Sequence, residues 1–188
     1  MRKVTVFNHT SLDGYFADAN GDMSWAHRNA DAEWNQYSAE NAEQGVADFL
    51  FGRRTYEMMA SFWPSPQGMK SEPKIAERMN SAKKLVFSRT LDKATWNNTT
   101  LVKEDLIGYV RKLKSEAGQD LMIFGSGTIV SQLTQERLID SYTVVVNPLV
   151  VGSGKNMFDG VREQARLKLV DSRAFKNGNM VLSYELKK

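Results

Sequence analysis

The stretch Leu121-Met122-Ile123-Phe124-Gly125-Ser126-Gly127-Thr128-Ile129-Val130 decides both the fold and the candidate site of this 188-residue chain. Its first four residues are apolar and predict a strand that is buried on both faces. Two glycines around Ser126 then break the strand, and the residues that follow have the pattern of a helix. Glycine lets the backbone approach a ligand closely, and the unpaired amides at a helix start attract negative charge. The alternative is a turn without a ligand, because Gly-x-Gly motifs are common.

The composition predicts one domain over residues 1–188, long enough to bury a substantial core. Charged residues make up 25% of the chain and hydrophobic residues 41%, which are ordinary values for a soluble protein. The net charge of +3 comes without a block of basic residues, so no nucleic-acid partner is expected. No apolar run is long enough to cross a bilayer, so no membrane association is expected. The chain has no cysteine, which excludes thiolate metal sites and favours the cytoplasm; we predict no metal site.

Strand and helix patterns alternate along the chain. The predicted strands are Val4–His9, Ala47–Gly52, Lys84–Ser88, Thr100–Val102, Leu121–Phe124, Ser141–Val146, Leu167–Arg173 and Met180–Leu186. The predicted helices are Asp31–Gly45, Arg53–Phe62, Lys74–Met79, Leu106–Ala117 and a last one after Gly127, whereas Trp63–Gly68 is predicted to be a loop because of its prolines. Alternation of this kind predicts an α/β fold with a mainly parallel sheet, flanked by helices on both faces and finished by an antiparallel C-terminal hairpin at Lys176–Gly178.

Three predicted strands end in glycine or serine followed by a polar residue, at Gly52-Arg53, Ser88-Arg89 and Gly125-Ser126. Ligands of such sheets bind at the carboxyl ends of the strands. The planar fork of arginine suits phosphate, so we expect Arg53 and Arg89 to bind a ribose phosphate while the Gly125–Thr128 turn binds a pyrophosphate. That pattern describes NADPH better than NADH. For each arginine taken singly, the alternative is a solvated surface charge.

The order of these motifs resembles the dihydrofolate reductase-like superfamily over nearly the whole chain. The segment Phe51–Glu57 is similar to its Gly-Arg-x-Thr-Trp-Glu element, and Ile123–Gly127 is similar to its Ile-Gly-Gly-Gly cofactor turn. Ala30–Trp34 is similar to the start of its substrate-side helix, and Trp25 looks like the tryptophan that closes its active-site loop. Ser126 departs from the family's glycine, and a positive φ there would strain a serine.

Two further segments, Ser11–Gly14 and Pro148–Lys155, resemble one branch of that superfamily: the reductase domain of bacterial riboflavin biosynthesis and its stand-alone relatives. The resemblance implies a dihydrofolate reductase-like fold, NADPH as the cofactor and a homodimer. Carried over by position, it implies a set of cofactor-binding residues, which are Gly52, Arg53, Thr55, Ser88, Arg89, Gly125, Ser126, Gly127, Thr128 and Ile129.

Hydride transfer also needs a proton donor, and two carboxylates are candidates. Asp31 matches the family's helix carboxylate, and its alternative role is to stabilise the start of a helix. Asp13 lies in a turn beside the expected nicotinamide position, and its alternative role is to form that turn. His9, at the end of the first strand, is interpreted as a structural histidine, and His27 as a solvated one.

The substrate side is predicted from three aromatic residues and one lysine. Trp25, Trp34 and Tyr56 are candidates to wall an aromatic substrate, with core packing as the alternative. Lys155 is a candidate to bind a substrate phosphate, with a surface turn as the alternative. The predicted function is an NADPH-dependent reductase of a small heterocycle, of the pteridine or pyrimidine type. The alternative is a non-catalytic nucleotide-binding protein or sensor on the same fold.

Overall fold

An eight-stranded mixed sheet organises the computed structural model, which describes residues 1–44 and 46–187. Its strands are β1 (Val4–Ser11), β3 (Ala47–Gly52), β4 (Lys84–Phe87), β5 (Thr99–Val102), β6 (Asp120–Phe124), β7 (Ser141–Asn147), β9 (Leu167–Ala174) and β10 (Met180–Leu186). A separate two-stranded ribbon pairs β2 (Ala17–Asp18) with β8 (Gly154–Lys155). The helices are α1 (Ala32–Gln44), α2 (Arg53–Phe62), α3 (Pro66–Ser71), α4 (Pro73–Ser81), α5 (Leu106–Ser115) and α6 (Gly127–Gln135), with a 3₁₀ turn over Ser24–His27.

The strand order is β5-β4-β3-β6-β1-β7-β10-β9. All pairs from β5 to β7 are parallel, and β10 runs antiparallel to both β7 and β9. This confirms the predicted mainly parallel α/β sheet with an antiparallel C-terminal hairpin. The predicted end of the first long helix, Gly45, lies outside the described residues. Because β4, β3, β6 and β1 are successive parallel neighbours, the loops that follow them emerge side by side at one edge of the sheet.

The sheet buries apolar side chains on both faces, as strands of a covered parallel sheet do. One face packs against α5 and α6 through Val4, Val6, Leu121, Ile123, Val110 and Leu133. On the other face, α2 and α4 cover one half through Phe49, Phe51, Tyr56, Met79 and Trp96. The helix α1 covers the opposite half through Trp34, Val145, Phe175 and Val181. The second face is therefore shared by two groups of helices, with α1 on one side and α2 and α4 on the other.

The segment predicted to be a loop at Trp63–Gly68 contains the start of α3, so that prediction was wrong. Ser65 caps the helix, because its Oγ accepts a hydrogen bond from the amide of Gly68 at 3.1 Å. Pro66 occupies the first turn, where a missing backbone N–H costs nothing. Proline here marks the beginning of a helix and not its absence.

A lysine that the sequence does not distinguish is fully buried at the start of β4. Lys84 is 0% exposed, and its Nζ donates to the carbonyls of Ala82 at 2.7 Å and Asn80 at 3.2 Å, at the end of α4. The same atom lies 4.5 Å from the centroid of the Trp96 ring. Burial, with the nearby positive charge of Arg78, lowers the pKa of Lys84 to about 8. Carbonyls at a helix end and an aromatic face hold this cation, so its role is structural.

Candidate active site

The turn after β6 has two successive residues in the left-handed region. Gly125 has φ 57° and Ser126 has φ 63° and ψ 70°. A serine in this conformation costs about 1 kcal/mol, which is the strain that the sequence pattern implied. The Ser126 carbonyl accepts from the amides of Ile129 at 2.8 Å and Val130 at 3.1 Å and starts α6. Within the described part of the chain, no acceptor pairs with the amides of Gly127 and Thr128, so two donors remain for an anion.

The turn after β3 touches the turn after β6. A Cβ atom at Gly52 would collide with the hydroxyl oxygen of Ser126, so only glycine permits this approach. Thr55, in the first turn of α2, lies against the other residue of the second turn, because a Cβ built on Gly125 would be 3.7 Å from Thr55 Oγ1. The two strand ends therefore form one continuous surface.

The two predicted phosphate-binding arginines emerge from neighbouring strand ends. Gly52 pairs with Phe87 across β3 and β4, and Arg53 and Arg89 follow these strands closely. Both side chains are exposed, and Arg53 Nε lies 3.9 Å from Glu57 Oε1. Exposed guanidinium groups beside the amides of α6 suit an extended anionic ligand.

Two other residues of the predicted cofactor set are already engaged within the protein. Ser88 Oγ accepts from the amides of Thr90 at 3.2 Å and Leu91 at 2.9 Å and closes a turn after β4. Ile129 is buried in the core, and its amide bonds to Ser126. Ile129 therefore holds the turn in place, while Thr128 beside it is exposed.

A cleft of about 470 Å³ begins at this turn and extends along the face of the sheet between α1 and the pair α2 and α4. Thr5, Phe7 and His9 alternate onto its floor from β1. The four residue steps from Thr5 to His9 span about 13 Å, so the cleft is elongated along the strands. Its other floor and wall residues include Phe49, Met122, Phe124, Trp34, Tyr37, Thr55, Met58, Met59, Trp63, Ile75 and Arg78.

His9 lies at the end of the cleft floor nearest the turn and is only 8% exposed. The amide nitrogen of Asn147 lies 3.4 Å from His9 Nδ1 and donates to the carbonyls of Thr10 at 3.0 Å and Val145 at 3.1 Å. Burial, followed by the neighbouring His27, lowers the pKa of His9 to about 4. His27 is exposed, lines the cleft too, and has its ring centroid 5.7 Å from that of His9. The structure thus offers a neutral hydrogen-bond donor inside the cleft with a solvent-facing histidine beside it.

The segment after β1 closes over the glycine turn. Phe16 lines the cleft and packs on Gly127, where a built Cβ would be 2.8 Å from Phe16 Cε1. The amide of Phe16 donates to the carbonyl of Lys155 at 2.9 Å, which adds to the pairing of β2 with β8. Residues from distant parts of the chain therefore cover the same turn.

Asp13, a candidate proton donor, has a different role in the structure. Its two carboxylate oxygens accept from the amides of Val151 at 3.1 Å and Gly152 at 2.8 Å. Hydrogen bonds with Ser11 and with these two amides lower the pKa of Asp13 to about 2. The side chain does not line the cleft and is ionised at neutral pH. Asp13 ties the two loops together, in agreement with the turn-forming alternative.

Asp31, the other candidate carboxylate, caps α1. Its Oδ1 accepts from the amide of Trp34 at 2.8 Å, and its carbonyl accepts from Asn35 at 2.9 Å. The residue does not line the cleft. This is the helix-stabilising alternative that the sequence left open.

Of the four predicted substrate residues, Trp34 lines the cleft and packs its ring 5.7 Å from that of His9. Tyr56 is in the core instead, where its hydroxyl accepts from the amides of Thr95 at 2.9 Å and Trp96 at 3.0 Å. The aromatic-wall role of Trp34 therefore stays a prediction, whereas Tyr56 has the alternative role of core packing.

Trp25 and Lys155 also lie off the cleft. Trp25 is buried within the 3₁₀ turn, its indole nitrogen finds no acceptor in the described residues, and its neighbours Met23 and His27 line the cleft. Lys155 extends over the turn at Gly21, where a built Cβ would be 2.9 Å from Lys155 Nζ. The lysine is thus placed on the outer ribbon, as the surface-turn alternative has it.

Residues 1–44 and 46–187 contain neither a cluster of metal ligands nor a helix that could span a membrane. No group of three or more histidine, aspartate or glutamate side chains there is arranged to hold a metal ion. None of the helices in this part of the chain has the length and apolar character to span a membrane.

A profile of the RibD C-terminal domain matches residues 2–181. The chain belongs to the RibD C-terminal domain family. The resemblance to the riboflavin-biosynthesis branch is thereby confirmed. The Bacillus subtilis protein YyaP is 25% identical over 183 residues, which are 97% of this chain and 94% of YyaP.

Solved structures show the same fold. A protein from Shewanella sp. PV-4 assigned to riboflavin biosynthesis has a TM-score of 0.74 and 24% identity, with 99% of each chain covered. A diaminohydroxyphosphoribosylaminopyrimidine deaminase/5-amino-6-(5-phosphoribosylamino)uracil reductase from Thermotoga maritima has a TM-score of 0.67 and 14% identity. That match covers 99% of this chain and 57% of the Thermotoga chain.

The contact between Gly52 and Ser126 predicts coupling in a double-mutant cycle. Gly52→Ala alone should lower the free energy of unfolding by about 1 kcal/mol, because the Ser126 hydroxyl must rotate away from the new methyl group. Ser126→Gly should stay within about 1 kcal/mol of the parent, since it relieves left-handed strain. The double variant should recover most of the loss from Gly52→Ala, because the clashing hydroxyl is gone. Urea unfolding measures all four proteins, and additive effects would contradict the contact.

The buried neutral His9 predicts a pH dependence of stability. The unfolded chain binds a proton at His9 below pH 6.5, whereas the folded chain does so only below about 4, so the free energy of unfolding falls as the pH decreases between these values. The full loss is on the order of 3 kcal/mol. Urea unfolding at pH 7 and pH 4.5 should show that His9→Gln removes most of this dependence. The control His27→Gln should keep most of it, and identical slopes in parent and His9→Gln would refute the assignment.

Proposed function

We propose that this RibD-family chain is a reductase that uses NADPH to transfer a hydride to a small heterocyclic ring bound in the cleft. One observation carries the proposal: Gly125 and Ser126 form both the anion-binding turn and one end of the apolar cleft. A cofactor whose phosphates lie on the turn therefore brings its reactive ring to a substrate in the cleft. The Thermotoga relative is a uracil reductase by name, which supports the same reaction class.

The residues at the sheet edge fit NADPH. The amides of Gly127 and Thr128 would hold the pyrophosphate, while Arg53 and Arg89 would hold the ribose phosphate. The absence of a side chain at Gly52 leaves the Ser126 hydroxyl seated against the backbone and keeps this surface open. When bound, NADPH supplies the hydride.

His9 would position the atom that is protonated when the reduction is completed. Hydride addition to a C=N or C=O bond leaves a nitrogen or oxygen that takes up a proton. His9 is neutral at pH 7, so its ring N–H would hydrogen-bond that atom at the end of the cleft nearest the turn without releasing its proton. The proton itself would enter from solvent beside the exposed His27, which also lines the cleft. Asp31 supports α1 in this scheme, because its carboxylate is used as the helix cap.

We also propose that the chain forms a homodimer and is located in the cytoplasm. The edge strand β9 is exposed along nearly its whole length and carries Leu169 and Val170, which are 49% and 47% exposed. An apolar edge strand of this kind is suited to pairing with a second copy. The absence of cysteine agrees with a reducing compartment.

Cofactor choice is tested by titrating the protein with NADPH and with NADH and following nicotinamide fluorescence. NADPH should bind more tightly, and Arg53→Ala should weaken NADPH about tenfold while leaving NADH nearly unchanged. Arg111→Ala, an exposed arginine on α5 paired with Glu136 at 2.6 Å, is the matched control and should change neither. Equal affinities for the two cofactors, or an equal effect of both substitutions, would remove Arg53 from the site.

Catalysis is tested by NADPH oxidation with a panel of pterins, pyrimidines and quinones. With an active compound, His9→Leu should lower kcat about 100-fold with little change in KM, because the hydrogen bond to the reacting atom is lost. Asp31→Asn should keep kcat within about threefold, because asparagine caps a helix as well as aspartate does. The reverse result would return the proton-donor role to Asp31. NADPH binding without oxidation across the panel would favour the non-catalytic alternative.

A further inference from the structure

The cleft beside the turn has an aromatic and sulfur-rich lining. Phe124 meets Phe49 at 5.0 Å and Phe7 at 5.9 Å between ring centroids, in edge-to-face contacts on the floor. Met58 and Met59 line the α2 wall. Aromatic and methionine side chains adapt closely to flat apolar ligands. With a floor about 13 Å long, the cleft has room for more than a single ring.

The same cleft has no net positive charge. Its charged lining residues, within the described chain, are Arg78 and Glu72, and His9 is neutral at pH 7. Arg78 is already engaged, because Nη2 donates to the carbonyl of Ala47 and the guanidinium carbon lies 4.9 Å from the Phe49 ring centroid. A phosphate dianion would enter this apolar space without compensating charge, which is strongly unfavourable.

Lys155, which was predicted to bind a substrate phosphate, adds no positive charge to the lining of the cleft. Lys155 lies on the β2–β8 ribbon against Gly21 and is not among the residues that line the cleft. The exposed Arg53 and Arg89 belong to the sheet edge beyond the turn, where the proposed cofactor lies. The cleft itself is therefore built for an uncharged ligand.

We propose that the substrate of this chain is an uncharged, planar compound of two or more fused rings that carries no phosphate. The inference rests on the proposed function and narrows its substrate class. It distinguishes this chain from the Thermotoga relative, whose named substrate carries a phosphoribosyl group.

The test compares ligands that differ by a single phosphate. Riboflavin and FMN share the same three-ring system and side chain, and lumiflavin has the ring system alone. With the protein saturated with NADP⁺, lumiflavin and riboflavin should quench on binding, and FMN should bind at least about tenfold more weakly than riboflavin. Equal or tighter binding of FMN overturns the proposal, and so does a failure of all three flavins to bind.

Two lysine variants locate the discrimination. Met58→Lys adds a cation to the cleft wall and should bring the FMN affinity to within about threefold of that of riboflavin. Ser115→Lys, at an exposed position of α5 on the opposite face of the sheet, should leave the discrimination unchanged. If the two variants behave alike, the cleft is not the flavin site and the inference fails. A parallel NADPH titration separates the two proposals, because loss of NADPH binding defeats the proposed function, whereas a preference for FMN with NADPH binding intact defeats this inference alone.

Discussion

The contact of the Ser126 hydroxyl with the backbone of Gly52 is the constraint on which the site depends. It joins the ends of β3 and β6, two adjacent parallel strands at the centre of the sheet. At this contact the chain passes through two left-handed residues and enters α6, whose first two amides have no acceptor among residues 1–44 and 46–187. The strain of that turn is held by the buried helix that follows, in which Ile129 and Val130 bond back to Ser126.

The cleft follows from how the helices divide one face of the sheet. The helix α1 packs toward β7 and β10, whereas α2 and α4 pack toward β3 and β4. The central strands β1 and β6 lie between the two groups, where Phe7 packs against the α1 cluster and Phe124 against the cluster of α2 and α4, and both line the cleft. Near its far end α1 meets α4, where Lys74 and Glu43 form an ion pair at 2.6 Å. An apolar floor thus stays available to a ligand although the surrounding core is closely packed.

Local patterns in the sequence were sufficient for most of the fold. The apolar runs ending in glycine or serine located β3, β4 and β6, and the Asn-Gly turn located the final hairpin, because periodicity and turn chemistry act over a few residues. The Gly-Arg and Gly-Ser motifs likewise placed the sheet edge correctly. The side-chain positions that local patterns did not predict depend on tertiary packing. Tyr56 points into the core because of the side on which α2 lies, and Lys84 is buried because α4 ends above it.

The roles of the titratable residues were harder to predict for the same reason. An aspartate before a helix is compatible with a cap or with an acid in a pocket, and only the position of α1 decides for Asp31. His9 was interpreted as structural, although its spacing from Thr5 and Phe7 already placed it on the same strand face. The spacing does not reveal that this face of β1 borders a cleft at His9.

The ribbon formed by β2 and β8 joins two segments of the chain that are synthesised at different times. Asp13 bonds to Gly152 across 139 positions of sequence, and Phe16 bonds to Lys155 at a similar separation. During synthesis the N-terminal wall of the cleft mouth is made early and has no partner until nearly the whole chain has been translated. Contacts of such long separation form late, after the local elements have assembled. A nascent chain that stops before β8 therefore lacks the segment that pairs with β2 beside the glycine turn.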